Sequence, residues 1–139
     1  MQIKITTDKS HLNFDYVHHY ISQLSYWAKG IPAETLKIAI ANSLCFIVLK
    51  EDRQIGFARA VSDFATFAYI ADLFIDEAER GKGYSKQLMQ SIMEHPQLQK
   101  LRRMLLMTLD AHGLYQQFGF TELARPERAM EKVMAKPYP

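Results

Sequence analysis

Hydrophobic and polar positions divide this chain into stretches of two periods, and the clearest change of period falls between Ala68 and Met93. The apolar run Tyr69 to Ile75 has the length and residue types of a buried strand. A polar link, Asp76-Glu77-Ala78-Glu79, leads into Arg80-Gly81-Lys82-Gly83. From Tyr84 onward the apolar residues Tyr84, Leu88, Met89, Ile92 and Met93 fall on one face of a helix at about 3.6 residues per turn. Upstream, Ile3 and Ile5 alternate with polar residues and predict a short first strand. Asn13 can cap a helix whose face is Val17, Tyr20, Ile21 and Leu24, and Ser25-Tyr26-Trp27-Ala28-Lys29-Gly30 breaks it. Pro32 suits the first turn of a second helix with Leu36, Ala39 and Ile40 as its stripe. Leu44 to Leu49 predicts a buried strand, Glu51 to Gln54 a turn, and the next strand sets Ile55, Phe57, Arg59 and Val61 against Gly56, Ala58 and Ala60.

Downstream, His95-Pro96 ends the long helix. Met104 to Leu109 predicts a fifth strand, Ala111 to Phe118 a short helix, and Gly119 its stop. Glu122 to Met134 predicts one or two closing strands, interrupted near Arg125-Pro126. The order is β-α-α-β-β-β-α-β-α-β. A strand-helix-strand unit over residues 69–109 implies two parallel neighbours with a right-handed crossover, preceded by an antiparallel hairpin. The expected class is α/β, a mixed central sheet flanked by helices.

Strand, glycine-bearing turn and helix N-terminus together suit a phosphate. The first turn of a helix has unpaired N–H groups and a partial positive end. Glycines let backbone approach an anion closely, and Arg80 and Lys82 add two cations. The dinucleotide fingerprint lacks its third glycine here, and a Walker loop would need Ser or Thr where Tyr84 follows Gly83.

Composition narrows the reading. The 139 residues make one domain, 1–139, large enough for a real core. A net charge of +2 without a long basic run gives no reason to expect nucleic acid. The single cysteine, Cys45, excludes an internal disulfide, and its place in the apolar run LCFIVL predicts a buried, inert thiol. The opening MQIKITTDKS is unlike a signal peptide, and no apolar stretch approaches about 18 residues, so a cytoplasmic protein with no membrane partner is expected. His18 and His19 diverge on a helix and have no histidine at i+4, so no metal site is expected.

Arg80-Gly81-Lys82-Gly83-Tyr84-Ser85 resembles the R-x-x-G-x-G/A loop that binds the pyrophosphate of coenzyme A in the GNAT superfamily of acyl-CoA-dependent N-acetyltransferases. Ser85 stands where that family usually has Gly or Ala. One helix and one strand later, Ala111, Leu114, Tyr115, Gly119 and Phe120 resemble the family's A-x-x-L-Y-x-x-x-G-F. Two motifs in the right order are far more specific than either alone, and the resemblance covers Leu44 to Phe120 most closely.

That resemblance implies a GNAT fold in which the two parallel strands splay and the pantetheine arm of acetyl-CoA pairs with strand backbone, here at Leu73, Phe74 and Ile75. It implies acetyl-CoA as co-substrate, no metal, a small-molecule or protein amine as acceptor, and Tyr115 as general acid. A homodimer is compatible with it. Thr108 stands where the family often has a pantetheine-binding Asn. Three residues compete for the base. Asp72 is a carboxylate in an apolar run, although alternation sets it on the face opposite Ala71 and Leu73. Asp110 and His112 are its rivals, and His112 shares a helix face with Tyr115. Tyr26 and Trp27 are candidates to cage an acceptor ammonium, with core packing as the plainer role. Arg59 is a candidate for an acceptor carboxylate, with a salt bridge as the plainer role. The competing function is a non-catalytic acyl-CoA sensor or interaction module of the same fold. A toxin acetylating aminoacyl-tRNA would want a more basic surface.

Overall fold

The computed structural model describes residues 2–134 and Tyr138. Five strands form one sheet in chain order: β1 (Lys4–Thr6), β2 (Leu44–Lys50), β3 (Arg53–Ser62), β4 (Phe67–Ile75) and β5 (Arg103–Leu106). The first four pair antiparallel, and β5 runs parallel to β4. Helices α1 (Phe14–His19) and α2 (Ala33–Ala41) join β1 to β2. Helix α3 (Tyr84–Glu94) makes the crossover from β4 to β5, and α4 (His112–Gln116) follows β5.

The sheet separates two cores, which is why β2 reads as continuous apolar sequence rather than alternation. Phe46 and Val48 pack with Tyr84, Leu88, Met89 and Ile92 of α3 and with Tyr115 of α4. Cys45, Phe57 and Phe74 pack with Val17 and Ile21 of α1, and with Leu36 and Ile40 of α2. Burial pushes the Cys45 thiol up to about 11, as expected of a buried, inert sulfur.

Local signals set several boundaries where the sequence puts them. Asn13 accepts the Tyr16 N–H at the start of α1. Helix α3 begins at Tyr84 and stops before His95-Pro96. Gly119 takes φ +89° just past α4 while the Phe120 N–H reaches the Tyr115 carbonyl, the six-residue closure that ends a helix in a left-handed residue.

Four expectations need correction. Residues 20–24 form a π turn, closed by the Ser25 N–H on the Tyr20 carbonyl. Its wider turn rotates the following residues, so Ser22 and Ser25 go inward and Leu24 turns to solvent. Strand β5 ends at Leu106 rather than Leu109, because the chain leaves the sheet there. A bulge interrupts the β3–β4 register between Phe57 and Arg59, with Asp72 at φ +56°, so strict alternation fails at Asp72. Finally, residues 122–134 hold no strand. Pro126–Arg128 form a single turn and Met130 is 97% exposed. The apolar residues Met130, Val133 and Met134 do not recur with period two, so the segment offers a sheet no single face.

Candidate active site

The parallel pairing of β4 with β5 runs only from Phe67–Arg103 to Ile70–Leu106. Beyond it the strands part. On its other side β4 stays paired with β3 as far as Ile75, so Ala71 to Ile75 keep a β5-facing edge without a strand partner among the described residues. Leu73, Phe74 and Ile75 lie on that stretch.

At the end of β4, Asp76 caps a turn through the Ala78 N–H, and the chain then enters the loop before α3. Gly81 and Gly83 sit at φ +79° and +81°, a region that costs an L-residue strain. A side chain added at either would meet nothing within 4 Å, so both face open space. The N–H groups of Gly81, Lys82, Gly83, Tyr84, Ser85 and Lys86 have no acceptor among the described residues. These are the unpaired donors of a helix N-terminus, extended backward by two glycines. Such a cradle fits a pyrophosphate.

The two cations of the loop are already engaged. Arg80 donates from Nε to the Ile75 carbonyl (3.2 Å) and from Nη2 to the Tyr20 hydroxyl (2.6 Å). Tyr20 stacks on Phe74 with ring centroids 3.8 Å apart, so Arg80 braces the loop to β4 through the π turn. Lys82 pairs with Glu79 at 2.9 Å. Glu79 is buried and also holds Lys50 (2.8 Å) and Arg53 (3.0 Å). Its hydrogen bonds to Lys50 and Lys82 hold its carboxyl down at about 2, and the same contact raises the Lys50 ammonium. The sequence showed Glu79 only as part of a polar link. Its cations on the β2–β3 hairpin are 26 and 29 residues away, so no local signal marked it.

Tyr115 has its ring in the α3-side core, edge-on to Phe120 at 6.1 Å. Its hydroxyl has no hydrogen-bond partner among the described residues, and none of their fully buried side-chain polar atoms is unpartnered. The hydroxyl therefore reaches open space. Burial, then the neighbouring Tyr26 and Asp110, raises its ionisation above the ordinary 10.0. Thr108 accepts the Ala111 N–H (3.0 Å) and sets the approach to α4. His112 is exposed on the first turn of α4 and makes no hydrogen bond to Tyr115.

Opposite lies the α1–α2 loop. The Tyr26 hydroxyl accepts the Leu109 N–H (3.0 Å), and Trp27 donates from Nε1 to Asp72 Oδ1 (2.7 Å). The loop thus spans the parted ends of β4 and β5. Neither ring is core packing: Tyr26 is 57% and Trp27 40% exposed. Arg59 donates from Nε to Asp72 Oδ2 (2.6 Å) and from Nη1 to Ser43 (3.1 Å). Asp72, its side chain 7% exposed, thus has both oxygens committed.

The sequence matches the Acetyltransferase (GNAT) family over residues 14–120. A crystal structure from Xanthomonas campestris pv. campestris, described as a putative acetyltransferase of the GNAT family, is 46% identical, with a TM-score of 0.96 over 99% of this chain and 97% of that one. "Putative acetyltransferase FG08082" of Gibberella zeae is 28% identical, covering 80% of this chain and 74% of its own length. Glucosamine-6-phosphate N-acetyltransferase from Arabidopsis thaliana is 12% identical and shares the fold, with a TM-score of 0.66 over 96% of this chain and 98% of that one. The mixed five-stranded sheet, the open amide loop and the match over residues 14–120 lead to one assignment: this chain belongs to the GNAT acetyltransferase family.

Proposed function

We propose that the protein is an N-acetyltransferase that moves the acetyl group of acetyl-CoA to a primary amine by direct attack, in the cytoplasm. The observation that carries this reading is the pairing of an open amide cradle at Gly81 to Lys86 with the accessible Tyr115 hydroxyl. Helices α3 and α4 pack together, and Tyr115 shares a core with Tyr84 and Leu88 of the first turns of α3.

Each group has a task. The N–H groups of the loop bind and neutralise the pyrophosphate. The unpaired edge of β4 at Leu73, Phe74 and Ile75 offers backbone partners to the amides of the pantetheine arm. A backbone N–H there can also steady the oxyanion formed when the amine nitrogen bonds to the acetyl carbon. The C–S bond then breaks, and Tyr115 gives its proton to the departing thiolate and regains one from solvent. A primary alkylamine has a pKa near 10 and an ordinary thiol one near 8.5, so a proton must leave the amine and one must reach the sulfur. Asp72, already held by two donors, is the least suited of the candidate bases. Asp110, His112 and bulk water remain to take the amine's proton.

The test is CoA thiol release from acetyl-CoA over a panel of amines, wild type beside Tyr115→Phe. Amine-dependent release that falls roughly 10²–10⁴-fold in the variant is expected. Equal release by both proteins overturns the role of Tyr115. Acetyl-CoA binding with no release by either favours the sensor.

A further inference from the structure

Two tyrosines one helical turn apart, Tyr16 of α1 and Tyr20 at the start of the π turn, lie against the same residue of β4. The Tyr20 ring stacks flat on Phe74, 4° from parallel with centroids 3.8 Å apart, and the Tyr16 ring meets Phe74 tilted at 5.8 Å. Neither hydroxyl ends in the core. Tyr16 donates to Asp76 Oδ2 (3.3 Å), and Tyr20 accepts from Arg80 Nη2 (2.6 Å). Asp76 and Arg80 are the two ends of the link that carries β4 to the open amides.

The first end is held several times over. The Asp76 N–H donates to the Ile55 carbonyl (2.7 Å), and its side chain caps Ala78. Glu79 then ties the link to the β2–β3 hairpin through Lys50 and Arg53. The second end depends on the Arg80 side chain. Its Nε bond to the Ile75 carbonyl only closes the link on itself. Among the described residues, Tyr20 is the one group outside residues 75–80 that bonds the Arg80 guanidinium. Gly81, first of the open amides, follows directly.

Tyr20 is itself a fixed post. The Ser25 N–H closes on its carbonyl, Ser25 Oγ donates to the Ile21 carbonyl (2.6 Å) and Ser22 Oγ to the His18 carbonyl (2.6 Å). Given the reading of the preceding section, on which this rests, we infer that Tyr20 is a positioning residue for the donor site, its hydroxyl acting through Arg80 to hold Gly81 to Lys86 ready for the pyrophosphate of acetyl-CoA. Pinning an exposed arginine costs entropy of the same order as one hydrogen bond returns, so the contact adds little to folding. Its effect falls on the loop. Amides already in place need less ordering when the anion arrives, and affinity rises accordingly.

Calorimetry of acetyl-CoA binding tests this on wild type, Tyr20→Phe, Arg80→Met and the double variant, with the Tm of each unliganded protein measured alongside. Tyr20→Phe keeps a ring on Phe74 and removes only the accepting oxygen. Its Kd should rise about three- to tenfold, the range of an ordinary intramolecular hydrogen bond, with Tm little changed. Arg80→Met should weaken binding at least as much. In that background the Tyr20 hydroxyl has nothing to hold, so adding Tyr20→Phe should weaken binding no further. An unchanged Kd in Tyr20→Phe, with or without a lower Tm, or losses that add in the double variant, would overturn the role of Tyr20 and leave the donor site standing. Failure of the wild type to bind acetyl-CoA would take down both.

Discussion

The proposed donor half and the proposed acceptor half of the candidate site are built on opposite plans. The donor half is one contiguous stretch, residues 73–86, whose useful groups are backbone N–H donors left unpaired around Gly81 and Gly83. The acceptor half draws on the α1–α2 loop, Arg59 of β3, Asp72 of β4 and the β5–α4 segment, and its polar side chains are largely paired with one another. A backbone site tolerates side-chain change as long as its φ angles can be kept. A side-chain site is fixed by its mutual contacts, and loss of one member leaves another stranded. Mutations should therefore separate the halves.

Tyr115 lies where the two meet and should show the largest effect. In Tyr115→Phe, turnover should fall roughly 10²–10⁴-fold while acetyl-CoA affinity changes little. Because burial and its neighbours raise the Tyr115 hydroxyl above the ordinary tyrosine range, the alkaline loss of turnover from this group should come at higher pH than an ordinary tyrosine would give. Asp110→Asn removes one of the negative charges that raise it, so the alkaline fall should move to lower pH. A pH-rate profile of the two proteins decides this.

On the acceptor side, Arg59→Leu strands the Asp72 carboxylate and should cost about 3 kcal/mol of stability, read from urea unfolding. The double variant Arg59→Leu with Asp72→Asn should recover part of that loss, since no buried charge then lacks a partner. No recovery would mean that the pair contributes through packing rather than charge.

A donor-side change should be milder for stability and sharper for binding. Gly83→Ala forces a left-handed L-residue at a cost of about 1–2 kcal/mol and puts a methyl before the open amides, so acetyl-CoA affinity should fall while the amine KM holds. Glu79→Gln should show itself as a change in the pH dependence of stability. The Glu79 carboxyl is held near 2 in the folded chain against an ordinary 4.5, so its contribution is full above 4.5 and fades as pH falls toward 2. The variant should flatten the Tm-against-pH curve in that window.

The contrast between the halves also explains what the sequence revealed. Gly81, Gly83 and the α3 stripe could be read because their meaning is local: a turn, a helix start and a periodic face within one stretch. Strand β2, the start of α3 and the stop at Gly119 were legible for the same reason. The role of Asp72 was not. A one-residue bulge and two partners 13 and 45 residues away decide it, and alternation counted through the bulge gives the wrong face. Arg59 was legible as a strand cation but not as one already occupied. Leu24 was lost to the π turn, because a period of 3.6 has no term for an inserted residue. The segment 122–134 looked strand-like by residue type, yet it has neither alternation nor a paired neighbour in the sheet.

The most direct test of the account is product stoichiometry. Wild-type protein with acetyl-CoA and a panel of primary amines should yield free CoA thiol and N-acetylated amine in equal amounts, with Tyr115→Phe binding acetyl-CoA as tightly and forming neither at a comparable rate. Tight binding of acetyl-CoA by the wild type, with no acetylated product from any amine, would contradict acetyl transfer and leave a protein that holds the thioester without spending it.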